Sequence, residues 1–117
     1  QSCQSVLDNR GISVHFLISP TGIIYQTMDC NDIAWHAANA NNYSIGVEIC
    51  NPYYTKYDSW HTRNGLPLRP RWKGTVRGIE LEEHLGFYDV QIEAAQALWR
   101  AISKACDLSK YLQPLRK

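Results

Sequence analysis

The sequence predicts an α/β domain, and three observations carry that expectation. Residues 12–18 and 23–28 alternate with the period of a strand, and Ser19-Pro20-Thr21-Gly22 between them has Pro and Gly where a tight turn uses them. Residues 44–50 repeat the strand period, with Ile45, Val47 and Ile49 on one face and Ser44, Gly46, Glu48 and Cys50 on the other. Residues 90–106 change period: Ala95, Leu98, Trp99, Ile102, Ala105 and Cys106 fall on one helical stripe, after Asp89 as N-cap.

Taken in order, residues 5–10 read as the end of a helix that Gly11 stops. In the first strand Val14, Phe16 and Ile18 point one way and Ser13, His15 and Leu17 the other, and with residues 23–28 it forms a hairpin. A lone His15 on a strand reads first as a core or rim residue, because a metal site needs further donors nearby. Residues 29–43 form a loop rich in Asn and Asp. Trp35-His36 in its middle sets a flat apolar surface beside a hydrogen-bonding group, suited to a sugar or peptide ligand, or else plugs the loop onto the core. Asn42-Tyr43-Ser44 fits a glycosylation sequon.

Glu48 is the residue on which chemistry centres. It is a carboxylate in an apolar strand, where burial raises the pKa, and Gly46 on the same face leaves room for a ligand to approach. An exposed Glu on the wet face of an edge strand is the alternative.

Length and charge exclude other classes. At 117 residues the chain holds one domain at most, and 12 basic against 11 acidic residues give no reason to expect nucleic acid or an anionic membrane as partner. There is no apolar run long enough to cross a bilayer and no signal-peptide pattern. Cys3, Cys30, Cys50 and Cys106 make no C-x-x-C pair, so a structural zinc site of the usual spacing is not expected. They could pair in three ways, with free, partly buried thiols as the favoured state.

Several segments together resemble one family. Residues 13–18 (Ser-Val-His-Phe-Leu-Ile), Gly22 with Ile24-Tyr25-Gln26, then Ala34-Trp35-His36-Ala37, Asn42 and Ser44-Ile45-Gly46-Val47-Glu48-Ile49 follow in the order and spacing of the zinc-dependent N-acetylmuramoyl-L-alanine amidases, the family shared with peptidoglycan recognition proteins. The resemblance implies a mixed β-sheet flanked by helices, with zinc in a groove on one sheet face. It implies hydrolysis of the amide between N-acetylmuramic acid and the L-alanine of the stem peptide, zinc polarising the carbonyl and a glutamate moving the proton. Glu48 matches that glutamate. His15, Trp35, His36 and Asn42 match positions at the substrate groove.

The departures from the family pattern are as informative. The family takes its first zinc histidine from a strand before the opening helix, and its other ligands, with a nearby lysine, from a segment after the long helix. Neither segment is matched here, so the ligands are expected outside this chain, which then reads as a central portion apparently truncated at both ends. Val14 stands where some members have a tyrosine, which points to the glutamate-using branch, and Ala38 replaces a glycine common after Trp-His-Ala.

Residues 12–50 are thus the motif-bearing part of one amidase-like domain, 51–88 a long irregular insertion and 89–107 the helix behind the sheet. The insertion holds Tyr53, Tyr54, Tyr57, Trp60 and Trp72 with Arg63, Arg69 and Arg71. It reads either as an aromatic and basic wall for glycan strands and stem peptides or as aromatics packed on the core. Glu80, Glu82 and Glu83 read as a solvated acidic face, and Trp99 as core. The expected partner is peptidoglycan or a muropeptide, possibly with flanking segments of the same protein. The alternatives to an enzyme are a non-catalytic peptidoglycan-binding module or a wall-contacting part of a larger assembly. Without an upstream strand the sheet keeps an open edge, which predicts an unstable isolated chain or one completed by a partner segment.

Overall fold

A computed structural model describes residues 3–106. Helix α1 (Cys3–Asn9) leads to strands β1 (Phe16–Ile18), β2 (Ile24–Gln26) and β3 (Val47–Ile49). Helix α2 (Asp58–Arg63), strands β4 (Arg71–Val76) and β5 (Ile79–Leu85), and the long helix α3 (Asp89–Ala105) follow. Strands β1 to β3 form a mixed sheet of order β2-β1-β3: β1 runs antiparallel to β2, with Phe16 opposite Gln26, and parallel to β3, with Leu17 opposite Glu48.

Strand alternation divides the core in two. Phe16 and Ile18 face Leu98 of α3, with Val47, Ile49, Ala94, Ala95 and Ile102 against them. Leu17 faces the other way, onto Leu7 of α1, and Val14 joins it there and not on the Phe16 and Ile18 side that alternation predicts, because it precedes the strand. Each fully buried side chain of this kind contributes about 1.5–3 kcal/mol, so the sheet is held between two helices as the family pattern implies. The helix at the start ends where expected. Ile12 N–H bonds to Leu7 O (3.0 Å) and Gly11 N–H to Asp8 O (3.1 Å), and Ile12 packs beside Leu7. The turn after β1 also forms, with Gly22 N–H on Ser19 O at 3.0 Å.

Several expectations need correction. The strands are shorter than their alternation suggests: Ser13 N–H turns to Trp35 O in the loop, while the β1–β2 pairing runs on past the strand ends in the bond from Thr27 N–H to His15 O. Residues 51–88 are not irregular. They contain α2 and the β4–β5 hairpin, which turns at Arg77-Gly78 with φ of +51° and +77°, the backbone of a two-residue primed turn. Tyr88, not Asp89, caps α3: its backbone is extended, and Gln91 Oε1, three residues on, accepts its N–H (3.2 Å). Trp99 is 67% exposed and Gln91 is fully buried, so the inner stripe of α3 begins with a polar residue.

The cysteines are corrected in part. Cys3 and Cys50 form a disulfide with Cα atoms 5.9 Å apart, while Cys30 and Cys106 are free. The parallel β1–β3 pairing carries Cys50 to the start of α1, a proximity invisible in the spacing of the residues. A loop of this length contributes about 4 kcal/mol in the chain-entropy account.

The insertion is fastened to the sheet by Arg69, which is 2% exposed. Its Nη2 donates to Cys50 O (2.9 Å), its Nη1 to Gln91 Oε1 (3.0 Å) and Gly86 O (3.2 Å), and its Nε to His61 Nε2 (2.9 Å). The guanidinium lies 4.3 Å from the centre of the Tyr88 ring. Gln91 Nε2 shares Cys50 O and reaches Ser19 O. Asp58 completes the cluster: Oδ1 accepts the Arg69 N–H at 3.1 Å, and Oδ2 lies 2.8 Å from Arg71 Nη2, a charge contact without hydrogen-bond alignment. Burial pushes the Asp58 carboxyl up, but the Arg69 N–H and the Arg71 guanidinium together hold it below its ordinary value.

Candidate functional site

The site is built on the α1-side face of β3. By strand alternation Gly46 and Glu48 share this face, and Glu48 lies opposite Leu17 across the parallel pair. Glu48 is half-buried. Loss of hydration raises its carboxyl above the ordinary range, and the Arg10 charge opposes this only partly. The environment that the residue pattern predicts is therefore present: a carboxylate whose protonated form is accessible nearer neutral pH.

Gly46 does not hold space for a ligand. The His36 imidazole fills it, so that a Cβ on Gly46 would sit 2.8 Å from His36 Cγ. Close approach of ring to backbone is what demands glycine here. Gly46→Ala is expected to destabilise the fold by about 1–3 kcal/mol, the usual cost of overpacking, with His36 displaced. Urea unfolding and the His36 ring resonances check both effects.

His36 is held from several sides. Its Nδ1 donates to Ala34 O (3.1 Å), Ser44 Oγ lies 3.0 Å from Nε2, and its backbone N–H bonds to Asn41 Oδ1 at 3.0 Å. Asn41 also takes the Ala37 N–H at 2.7 Å. Asn41 is the loop's organising residue, whereas the resemblance picks out its neighbour Asn42. Asn42 is exposed on the 3₁₀ turn (Ala38–Tyr43) that follows. Ala38 opens that turn at φ +48°, a left-handed conformation costing a side chain about 1–2 kcal/mol. Ala38→Gly is expected to raise stability by up to about 1 kcal/mol after the added flexibility of the unfolded chain is subtracted, measurable as a shift in the urea midpoint.

His15, which the resemblance sets at the groove, lies beneath the loop. It is fully enclosed. Its Nδ1 accepts the Gly46 N–H (3.0 Å), so the neutral ring donates from Nε2 to Asp32 O (2.7 Å). With both nitrogens spent on backbone, it fixes Gly46 and the loop relative to β3. Its ring meets the His36 ring edge-on, centres 6.1 Å apart. Trp35 is 66% exposed, its backbone pinned to Ser13 by Trp35 N–H to Ser13 Oγ at 2.8 Å. It is therefore not a plug.

A metal centre does not fit these residues. Among the described residues no three His, Cys, Asp or Glu side chains stand where they could hold a metal ion, and the His15 ring nitrogens are spent on backbone groups.

The family model described as N-acetylmuramoyl-L-alanine amidase matches residues 1–113. The chain belongs to that family. No curated protein and no solved structure matches it. Its helices and small sheets make an α/β frame consistent with that family. The family generally uses zinc, while this chain's described residues supply no site for it.

Proposed function

We propose that this amidase-family chain hydrolyses the amide between N-acetylmuramic acid and the L-alanine of the peptidoglycan stem peptide, with Glu48 as the proton-transfer residue. One observation carries the reading. Glu48 is the carboxylate on the site face of β3, and partial burial raises its pKa. A base in that range takes a proton from water as the water oxygen bonds to the lactyl carbonyl carbon. The same carboxyl then returns the proton to the alanine nitrogen as the C–N bond breaks. Products are a lactyl carboxylic acid and a peptide with a free α-amine. The zinc that the family uses would require donors from outside the described residues.

Substrate contact falls to Trp35, His36 and Asn42, on the loop beside Glu48. Trp35 offers an exposed ring face for a sugar ring or peptide. Trp35→Ala is expected to weaken binding to purified peptidoglycan about three- to tenfold, the worth of one aromatic contact. Unchanged pull-down would remove Trp35 from the site.

The second reading is a recognition module that grips muropeptide without cutting it. The exposed Trp35 favours it, since a binding face needs aromatic surface and no proton shuttle. Incubation with purified peptidoglycan separates the two. Free stem peptide in the supernatant supports hydrolysis, and sedimentation with the wall without release supports binding alone.

A further inference from the structure

A cavity of about 650 Å³ lies between β3, the β4–β5 hairpin and the start of α3, within the range of about 300–1,000 Å³ typical of small-molecule sites. It begins at Ile49, whose side chain alternates onto the face opposite Glu48. It is thus a different place from the site above.

The fold gathers aromatic rings around it. Strand pairing sets His84 directly opposite Trp72 in the hairpin, and the two rings lean together with centres 5.1 Å apart. Tyr53 stacks on the same His84, with centres 4.6 Å apart and planes 9° from parallel. Gly74 lets the indole lie close against the strand, since a Cβ there would be 2.8 Å from it. Phe87 adds a fourth ring from the segment before α3. Trp72 and Phe87 remain 45% and 41% exposed, so ring surface is open to a ligand.

The charges beside these rings are unequal. Asp89 is an exposed residue of the lining and has no ion-pair partner among the described residues. Arg71 is the only Lys or Arg in the lining, and it is already engaged: Nη2 lies 2.8 Å from Asp58 Oδ2 and Nε lies 3.8 Å from Glu83. Three carboxylates therefore stand against one guanidinium.

We propose that this cavity binds a quaternary ammonium group, as carried by a choline-type amine. Ring faces attract a cation through their quadrupole, and several rings on one cavity add their attraction. A trimethylammonium group spreads its charge over methyl groups and has no N–H, so it leaves no donor unsatisfied among apolar rings, as a primary ammonium would. Asp89 supplies the opposite charge. An anion would meet the carboxylates, and a neutral ligand would gain nothing from them. A free amine is favoured over a phosphocholine head group, whose phosphate would lie beside Asp89. The proposal stands apart from the amide-cleaving reading, because it uses neither Glu48 nor the Trp35 loop.

The test is NMR titration of the whole chain with choline chloride at constant ionic strength. Choline methyl protons are expected to contact the Trp72 indole and the Phe87 ring. Dimethylbutanol, the isostere with carbon in place of the charged nitrogen, is expected to bind about tenfold more weakly, and Trp72→Ala is expected to weaken choline binding by a similar factor. Asp89→Asn is expected to weaken it about two- to fivefold, and Trp99→Ala, at an exposed position of α3 outside the cavity, to leave it unchanged. Glycerophosphocholine is expected to bind more weakly than choline. Should Trp72→Ala fail to fold, the methyl contacts and the dimethylbutanol comparison in the unsubstituted chain decide. No binding at tens of millimolar choline, methyl contacts confined to other residues, or a neutral isostere that binds as tightly would overturn the site. Tighter binding of glycerophosphocholine would overturn the choice of a free amine.

Discussion

Glu48→Gln is expected to lower release of stem peptide from purified peptidoglycan by about 10²–10⁴-fold, the usual worth of a positioned general acid–base group, while the protein still binds the wall. The substitution keeps size and hydrogen-bonding capacity but cannot take up or return a proton. The folded-state pKa of Glu48 is raised above 4.5, so the folded protein holds the proton more tightly than the unfolded chain. Stability from this group is fully present below the unfolded value and lost as pH rises through the folded one. A neutral amide at this position should therefore leave the protein at least as stable at pH 7 as the parent. Activity should rise on the acid side with a midpoint above 4.5, where the carboxylate forms. Loss of activity accompanied by loss of folding would instead make Glu48 a structural residue.

Arg69→Leu carries the largest expected effect on stability, a loss of about 3–5 kcal/mol, as for breaking one side of a buried charged network. The substitution strips donors from Cys50 O, Gly86 O, Gln91 and His61 at once. Denaturant unfolding measures the total, and hydrogen exchange should show amides in residues 53–91 losing protection first. The same cluster sets an acid limit. His61 Nε2 accepts the Arg69 Nε–H, so the ring must be neutral to keep that bond. Burial first, then the Arg69 charge, holds the His61 pKa below 6.5. The unfolded chain thus takes up this proton before the folded one does. The contribution of neutral His61 is intact above 6.5 and falls as pH drops from there through the lower folded value. His61→Gln should flatten that dependence, as read from unfolding midpoints across the range.

The parts of the fold legible in the sequence are those whose signal is local. Alternation at 16–18 and 44–50, the Pro-Thr-Gly turn and the helical stripe as far as Ile102 each arise from the residues of one element, whereas Ala105 and Cys106 at the end of the stripe are exposed and Val14 packs with Leu17 instead of Phe16 and Ile18. Glu48 stood out for the same reason, a charge within a strand pattern. What was not legible depends on partners far away in the chain. Cys50 meets Cys3 only because β1 and β3 run parallel. Arg69 resembles any surface arginine until the insertion folds over Cys50. Gly46 reads as space near an acid, whereas the His36 ring fills it. The β4–β5 hairpin carries only a weak signal, because its turn is Arg-Gly instead of Asn-Gly and because the cross-strand pair Val76 and Ile79 flanking it is exposed and meets no core. Trp99 fits the apolar stripe of α3 by spacing, yet the inner face is completed by Gln91 and the small Ala94 and Ala95.

The bond that this chain cuts decides its activity. Purified peptidoglycan digested in ¹⁸O-water and analysed by mass spectrometry answers this. Hydrolysis of the muramoyl amide predicts stem peptides with a free N-terminal alanine, glycan carrying one ¹⁸O in the lactyl carboxyl group, and neither product with Glu48→Gln. Peptides cut at another bond, label in another group, or unchanged wall despite stable attachment of the protein would contradict it.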